Sequence, residues 1–204
     1  LMGGLRRGGG GGAGWAAGGG QRQRPAPEEA PPERAFLVGR DLEAEGHLQE
    51  ALEAYTRALS KDPESVFLLK RAAELSARQN RLAEAVVYAE RALELEPDNV
   101  AVQRYLGGVY DRLERYDSAV EHFQRAQELS PGSAESYYNL GVVQSKLAHS
   151  TEAVRQLELA IELDPDYAAA HYNLGVVYGQ LLGDPRRSAE HFAEASRIDP
   201  SLAP

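Results

Sequence analysis

The 204-residue chain contains no cysteine and has a formal net charge of −9, from 22 basic and 31 acidic residues. The absence of cysteine excludes a disulfide framework, an iron–sulfur site and thiol catalysis. Hydrophobic residues make up 43% of the chain, as in soluble globular proteins, and no apolar run is long enough to span a bilayer. We therefore expect no direct insertion into a membrane.

The first 31 residues differ in composition from the rest. They hold 11 of the 20 glycines, and a segment rich in proline and glutamate follows from Pro25 to Pro32. Such a stretch cannot bury enough apolar area to offset its ordering entropy. We predict a disordered Gly/Pro-rich tail over 1–31 and a folded domain over 32–204.

From residue 32 onward the sequence repeats itself. Prolines recur every 34 residues, and the next follows after 35: Pro63, Pro97, Pro131, Pro165 and Pro200. Alanines keep the same period, and the segment 138–143 recurs unchanged at 172–177. A fixed period of this size indicates one supersecondary unit stacked on copies of itself. The predicted repeats are 32–65, 66–99, 100–133, 134–167 and 168–202.

Each repeat is predicted to contain two helices, which we name helix A and helix B. Apolar residues recur every three or four positions, so the first repeat predicts helix A over 33–45 and helix B over 48–61. A proline ends helix B. Glycines in the middle of helix A (Gly107, Gly141 and Gly175) indicate close approach of helix B. The fifth repeat has one extra residue, which we place in the A–B turn at 183–185, so that Ser188 takes an alanine position.

The residue types at these positions resemble the tetratricopeptide repeat. The third repeat matches its pattern at Leu106, Gly107, Tyr110, Ala119, Phe123, Ala126 and Pro131. The resemblance implies an all-α fold, a right-handed α-solenoid of helix-turn-helix repeats. It also implies that consecutive A helices line a curved surface.

We call that surface the concave face and define it as positions 2, 5, 6, 9, 12 and 13 of each repeat, the stripe of helix A that points away from helix B. These positions hold seven basic and five acidic residues, although the domain as a whole is acidic. The predicted binding residues are Lys70, Arg71, Arg78, Arg104, Arg112, Tyr138, Asn139, Lys146, Tyr172 and Asn173. We favour Arg104 and Arg112, because neither has an acidic residue four positions away on its own helix.

Tyr138, Asn139, Tyr172 and Asn173 occupy equivalent positions in the fourth and fifth repeats. An asparagine amide both donates and accepts hydrogen bonds, so a row of them can pair with the backbone of an extended peptide. This arrangement is similar to the asparagine ladder of O-linked N-acetylglucosamine transferase, here with two rungs.

The expected function is that of a non-enzymatic scaffold or adaptor that binds a peptide segment of a partner protein on the concave face. The basic excess favours an acidic segment. We predict no cofactor, no metal site and no catalytic site, because the histidines and carboxylates lack the spacing that such chemistry requires. The net acidity also argues against a nucleic acid as partner.

Two alternatives stay open. The repeats could recruit substrates for a larger enzyme similar to the transferase, or they could belong to a bacterial envelope assembly factor. We expect a cytoplasmic location, or a periplasmic or membrane-anchored one if a further segment precedes Leu1.

The end of the chain bears on self-association. Only four residues follow Pro200, so no additional helix covers the outer face of the last helix B. We expect apolar surface there, and an end-to-end homodimer as one way to cover it.

Overall fold

The computed structural model describes residues 32–203, so the predicted tail over 1–31 lies outside the described residues. The described residues form ten α-helices and no strand. They are α1 (Pro32–Ala44), α2 (Leu48–Lys61), α3 (Val66–Arg78), α4 (Leu82–Leu95), α5 (Val100–Arg112), α6 (Tyr116–Leu129), α7 (Ala134–Lys146), α8 (Ser150–Leu163), α9 (Ala168–Val176) and α10 (Pro185–Ile198).

The helices form five pairs that stack in chain order. The odd-numbered helices are the A helices and the even-numbered ones the B helices, and each B helix packs on its own A helix and on the next one. Alanines at the interface are fully buried, as at Ala51, Ala85, Ala119 and Ala153. Their small side chains let the two helices approach closely, which confirms the predicted all-α solenoid.

The glycine at position 8 of helix A makes room for a large side chain of helix B. A Cβ atom added at Gly107 would lie 2.6 Å from the ring of Phe123, and one added at Gly141 would lie 2.8 Å from Leu157. In the second repeat both positions hold alanine, at Ala73 and Ala89. In these repeats, helix A and helix B therefore meet either as a glycine against a large side chain or as two small residues.

The sequence predicts that the extra residue of the fifth repeat lies in the A–B turn. The structure instead takes it up partly within helix α9. Helix α9 widens into a π-helical turn over Val177–Leu181, and Gly183 follows with φ +64°. A π-turn takes up one additional residue within a helix. The next helix then keeps its register, so that Ser188 lies at the buried alanine position and donates a hydrogen bond to the carbonyl oxygen of Gly175 at 2.8 Å.

In the first four repeats, the A–B turn contains one residue in the left-handed region. It is Gly46, Asn80, Glu114 or Ala148, with φ between 58° and 84°. The amide of the following residue bonds to a carbonyl five positions back, which is the Schellman arrangement that ends a helix. Only glycine adopts this conformation without steric cost.

Replacing Ala148 with glycine should therefore stabilise the fold. We expect a gain of about 1 kcal/mol in the free energy of unfolding, because relief of the left-handed strain outweighs the extra entropy of the unfolded chain. Urea unfolding followed by circular dichroism measures the change. The control is Ala101→Gly on the exposed side of α5, which should lose about 1 kcal/mol. Destabilisation by both substitutions would contradict the expected strain.

The outer face of the first repeat has polar residues at two positions where the second repeat is apolar, with Val38 between them 45% exposed. Arg34 and Asp41 are exposed on α1, whereas the equivalent positions of α3 hold Leu68 and Leu75, which are buried. A polar outer face is the usual property of a terminal repeat in a solenoid.

The last helix differs from the other B helices in a similar way. Ala189 and Ser196 of α10 stand where α2 has the buried side chains Leu52 and Leu59. Among the described residues, no large apolar side chain of α10 is exposed. The apolar edge expected on this helix is therefore small, because small and polar residues stand at the positions that would face another repeat.

Candidate functional site

The concave face is held together by side chains that cross from one A helix to the next. Tyr105 on α5 donates a hydrogen bond to the carbonyl oxygen of Ala73 on α3, at 2.6 Å. Burial raises the pKa of Tyr105 well above its usual value. Helices α3 and α5 are therefore linked by a hydrogen bond across the concave face.

Charged residues at positions 12 and 13 form a second set of links. Arg78 Nη1 lies 3.0 Å from Glu43 Oε1, and Lys146 Nζ lies 2.6 Å from Asp111 Oδ1. Each pair joins a cation of one repeat to an acid of the preceding repeat. Arg71 also contacts Glu43, as well as Glu74 on its own helix. Three of the predicted binding cations are therefore paired within the chain.

Arg104 and Arg112, which the sequence favours as ligand contacts, also have partners. Arg104 pairs with Glu135 of the next A helix. Arg112 donates to the carbonyl oxygen of Ala77 on the preceding A helix at 3.2 Å. The absence of an acid on the same helix did not leave these side chains free, because their partners come from neighbouring repeats.

One of the two asparagines of the predicted ladder, Asn173, is already hydrogen-bonded within the chain. Asn173 Nδ2 donates to Tyr138 Oη at 3.2 Å and to the carbonyl oxygen of Ala169 at 2.9 Å. Asn139 is half-buried, and its amide makes no hydrogen bond within residues 32–203. Tyr172 packs its ring on Phe192, with centroids 5.2 Å apart. Asn139 therefore remains available to a ligand.

Lys70, like Asn139 and Tyr172, has no polar partner in the described part of the chain, and it lies beside exposed apolar side chains. Phe67 is 53% exposed one turn earlier on α3, and Leu37 of α1 is 44% exposed. The ring of Phe36 meets that of Phe67 edge to face, at 5.1 Å between centroids. We call Phe36, Leu37, Phe67 and Lys70 the N-terminal patch.

The three apolar residues of this patch are not among the binding residues predicted from the sequence. Their signal was present, because Phe36, Leu37 and Phe67 occupy positions 5, 6 and 2 of the concave stripe, where a solvated face would have polar side chains. Large exposed apolar residues that lie together mark interaction sites more often than scattered ones do.

Between residues 32 and 203, no group of three or more histidine or acidic side chains is arranged to hold a metal ion. In the same range, no helix is both long and apolar enough to cross a membrane.

Comparisons with known proteins agree with this architecture. Sequence models described as tetratricopeptide repeat match residues 32–65 and 71–134, and one described as TPR repeat matches 151–181. Together these matches cover more than half of the chain. No curated protein matches it in sequence.

Solved structures with a similar fold include two proteins. MamA from Desulfovibrio magneticus, residues 41 to the end, has a TM-score of 0.78 and 20% sequence identity, over 83% of this chain and 96% of that one. YrrB, described as a TPR protein with an unusual peptide-binding site, has a TM-score of 0.70 and 27% identity, over 83% and 88%. The repeat pattern, the stacked helix pairs and the three family matches lead to one conclusion: the chain belongs to the tetratricopeptide repeat family.

Proposed function

We propose that this chain is a non-enzymatic scaffold that binds an extended segment of a partner protein along its concave face. The fold is one used for protein interaction, and YrrB, a similar structure, is described as having a peptide-binding site. The observation that supports the proposal most strongly is the N-terminal patch, where exposed Phe67 contacts Phe36 and lies one turn from the unpaired Lys70 on α3.

The chemistry of the patch suggests the kind of segment. A large apolar side chain would cover Phe67 beside Phe36, and burying a phenylalanine or leucine contributes about 2 kcal/mol. A nearby aspartate or glutamate would pair with Lys70, which has no acidic partner within residues 32–203. Further along the face, the free amide of Asn139 can bond to the segment's backbone. The acidic character proposed for the ligand therefore rests on Lys70 and not on the paired arginines.

Selection from a random 12-residue peptide library displayed on phage, with the full chain as bait, tests this proposal. We expect selected peptides to combine a large apolar residue with an acid, and calorimetry to show at least ten-fold weaker binding to Phe67→Ser and to Lys70→Glu. Binding should also weaken with added salt, because screening reduces the attraction between exposed charges.

Two controls lie outside the concave face. Val87→Ser removes an apolar side chain of α4 that is 62% exposed, and Arg91→Glu reverses an exposed charge on the same helix. Both should leave the affinity unchanged. Equal losses with the controls, or selected peptides indifferent to Phe67 and Lys70, would contradict the proposed site.

The alternatives can be separated by the same structure and by simple tests. An enzyme-recruiting role similar to that of the transferase stays a prediction, and the complete reading frame on either side of this sequence would test it. The envelope factor and the cytoplasmic location stay predictions, which cell fractionation distinguishes. An end-to-end homodimer also stays a prediction, and Ala189 and Ser196 offer it little apolar area.

A further inference from the structure

The third and fifth repeats contain the same aromatic stack of a buried tyrosine and a half-buried histidine. In the third repeat, the ring of His122 lies parallel to that of Tyr110, with centroids 5.4 Å apart. In the fifth repeat, His191 stacks on Tyr178 in the same way, at 5.5 Å. Each histidine comes from position 23 of its repeat, allowing for the extra residue, and each tyrosine from position 11.

The two stacks differ in the residue at position 4 of helix A. In the third repeat Gln103 Oε1 lies 2.8 Å from His122 Nδ1. In the fifth repeat the equivalent residue is His171, and its Nδ1 lies 3.3 Å from Nδ1 of His191. His171 is buried, and its ring centroid is 5.5 Å from that of His191. A glutamine can accept from a charged imidazole, whereas a histidine can do so only while it is neutral itself.

The histidine pair therefore has a limit on the number of protons it can hold. When both rings are neutral, or when one is charged, one Nδ1–H donates to the other Nδ1. When both are charged, two N–H donors face each other with no acceptor between them, and two positive charges lie at close range. The second proton must disrupt the contact.

Charged groups from every packed element surround the pair. From α8, Glu158 reaches the hydroxyl of Tyr178 at 3.5 Å, and from α10 the guanidinium carbon of Arg187 lies 5.2 Å from the centre of the same ring. Glu190 and Glu194 also belong to α10, and Glu194 is paired with Arg197. Burial above all, and then the charge of His171, lower the pKa of His191, while Glu190 opposes this shift.

We propose that the His171–His191 contact makes the fifth repeat acid-sensitive, so that protonation of both rings loosens α9 from α10. Helix α9 also bears Tyr172 and Asn173, so the change would alter one end of the concave face. This last consequence rests on the proposed function, whereas the loosening itself does not.

The direction of the effect follows from proton counting. In the unfolded repeat both histidines titrate near pH 6.5, and below that pH they bind two protons. The folded contact holds at most one. The unfolded state therefore binds more protons as the pH falls below about 6.5, and each excess proton raises the unfolding equilibrium constant about ten-fold per pH unit. The stabilisation is complete above that pH.

Hydrogen exchange measured by mass spectrometry on the full chain tests the proposal. We compare pH 7.5 with pH 5.5, after correction for the intrinsic exchange rates. Protection of the amides in α9 and α10 should fall by at least ten-fold at the lower pH, while α1 and α2 should keep theirs. The measurement needs no ligand, so its result is independent of peptide binding.

Two substitutions exchange the arrangements of the two repeats. His171→Gln copies the contact of Gln103 with His122, and it should remove most of the loss in α9 and α10. Gln103→His creates the pair in the third repeat, and it should add an acid-dependent loss in α5 and α6 beyond the small one expected from His122, whose pKa burial lowers. An equal loss with and without His171, or no response to Gln103→His, would overturn the proposal.

Discussion

Replacing Gly107 with alanine should destabilise the chain by about 1–2 kcal/mol, while the same change at the adjacent Gly108 should stabilise it by about 1 kcal/mol. A Cβ atom at Gly107 would lie within 2.8 Å of three atoms of the Phe123 ring, but nothing lies within 4 Å of one at Gly108. Both residues are inside α5, so both substitutions gain the same helix propensity. Urea unfolding of the two variants measures the difference directly.

The second repeat suggests how to test whether the Phe123 ring is the reason for the glycine. Its equivalents of Gly107 and Phe123 are Ala73 and Ala89, two small residues. Phe123→Ala alone should cost about 3–5 kcal/mol because it leaves a cavity. In that background Gly107→Ala should become stabilising, because the ring that it would meet is gone. If Gly107→Ala were equally harmful with and without the ring, the contact would not be the reason for the glycine.

Removing the carboxylate of Glu43 should destabilise the chain by about 2 kcal/mol. Its side chain is only 15% exposed and lies between Arg71 and Arg78, and the hydroxyl of Tyr55 donates to it at 3.4 Å. Glu43→Ala leaves these donors without their shared acceptor. Because the group is partly solvated, we expect less than the full cost of breaking a buried ion pair.

The control for this prediction is Glu94→Ala on the exposed side of α4, which should change stability by less than about 0.5 kcal/mol. A double-mutant cycle of Glu43→Ala with Arg71→Ala then isolates the coupling between the two side chains, about 1 kcal/mol or more. A coupling near zero would mean that the cost arises from packing and not from the ion pair.

The helix positions could be predicted from the sequence almost to the residue. Helix A of the first repeat was predicted over 33–45 and runs over Pro32–Ala44, and helix B was predicted over 48–61 and runs over Leu48–Lys61. These limits depend on local signals, namely apolar spacing, the proline and the turn. Such signals recur every 34 residues, so each repeat reinforces the others.

The partners of the charged residues could not be predicted in the same way. Arg78 and Glu43 are 35 residues apart, as are Lys146 and Asp111, so their contact depends on how far one repeat is shifted and rotated against the next. No local spacing rule contains that information. The position of the extra residue was missed for a related reason: a helix can absorb an insertion as a wide turn wherever packing permits, as at Val177–Leu181.

The contact between His171 and His191 is likewise absent from any local sequence pattern. His171 and His191 are 20 residues apart on different helices, which is outside the short spacings that indicate metal ligands within one helix. The repeat register brings them together, because positions 4 and 23 of one repeat face each other. Comparing titratable residues by repeat position would have found the pair.

The polar and small residues on the outer faces of α1 and α10 limit how the stack of repeats can be extended. A further consensus repeat joined before α1 would bury the charges of Arg34 and Asp41. One joined after α10 would pack poorly against the small residues Ala189 and Ser196. Inserting a copy of the third or fourth repeat between its neighbours would instead meet mostly apolar residues on both sides, with Ser136 and Gln127 as the exceptions. A longer binding groove is therefore to be built from the centre outward, with both outermost units kept as they are.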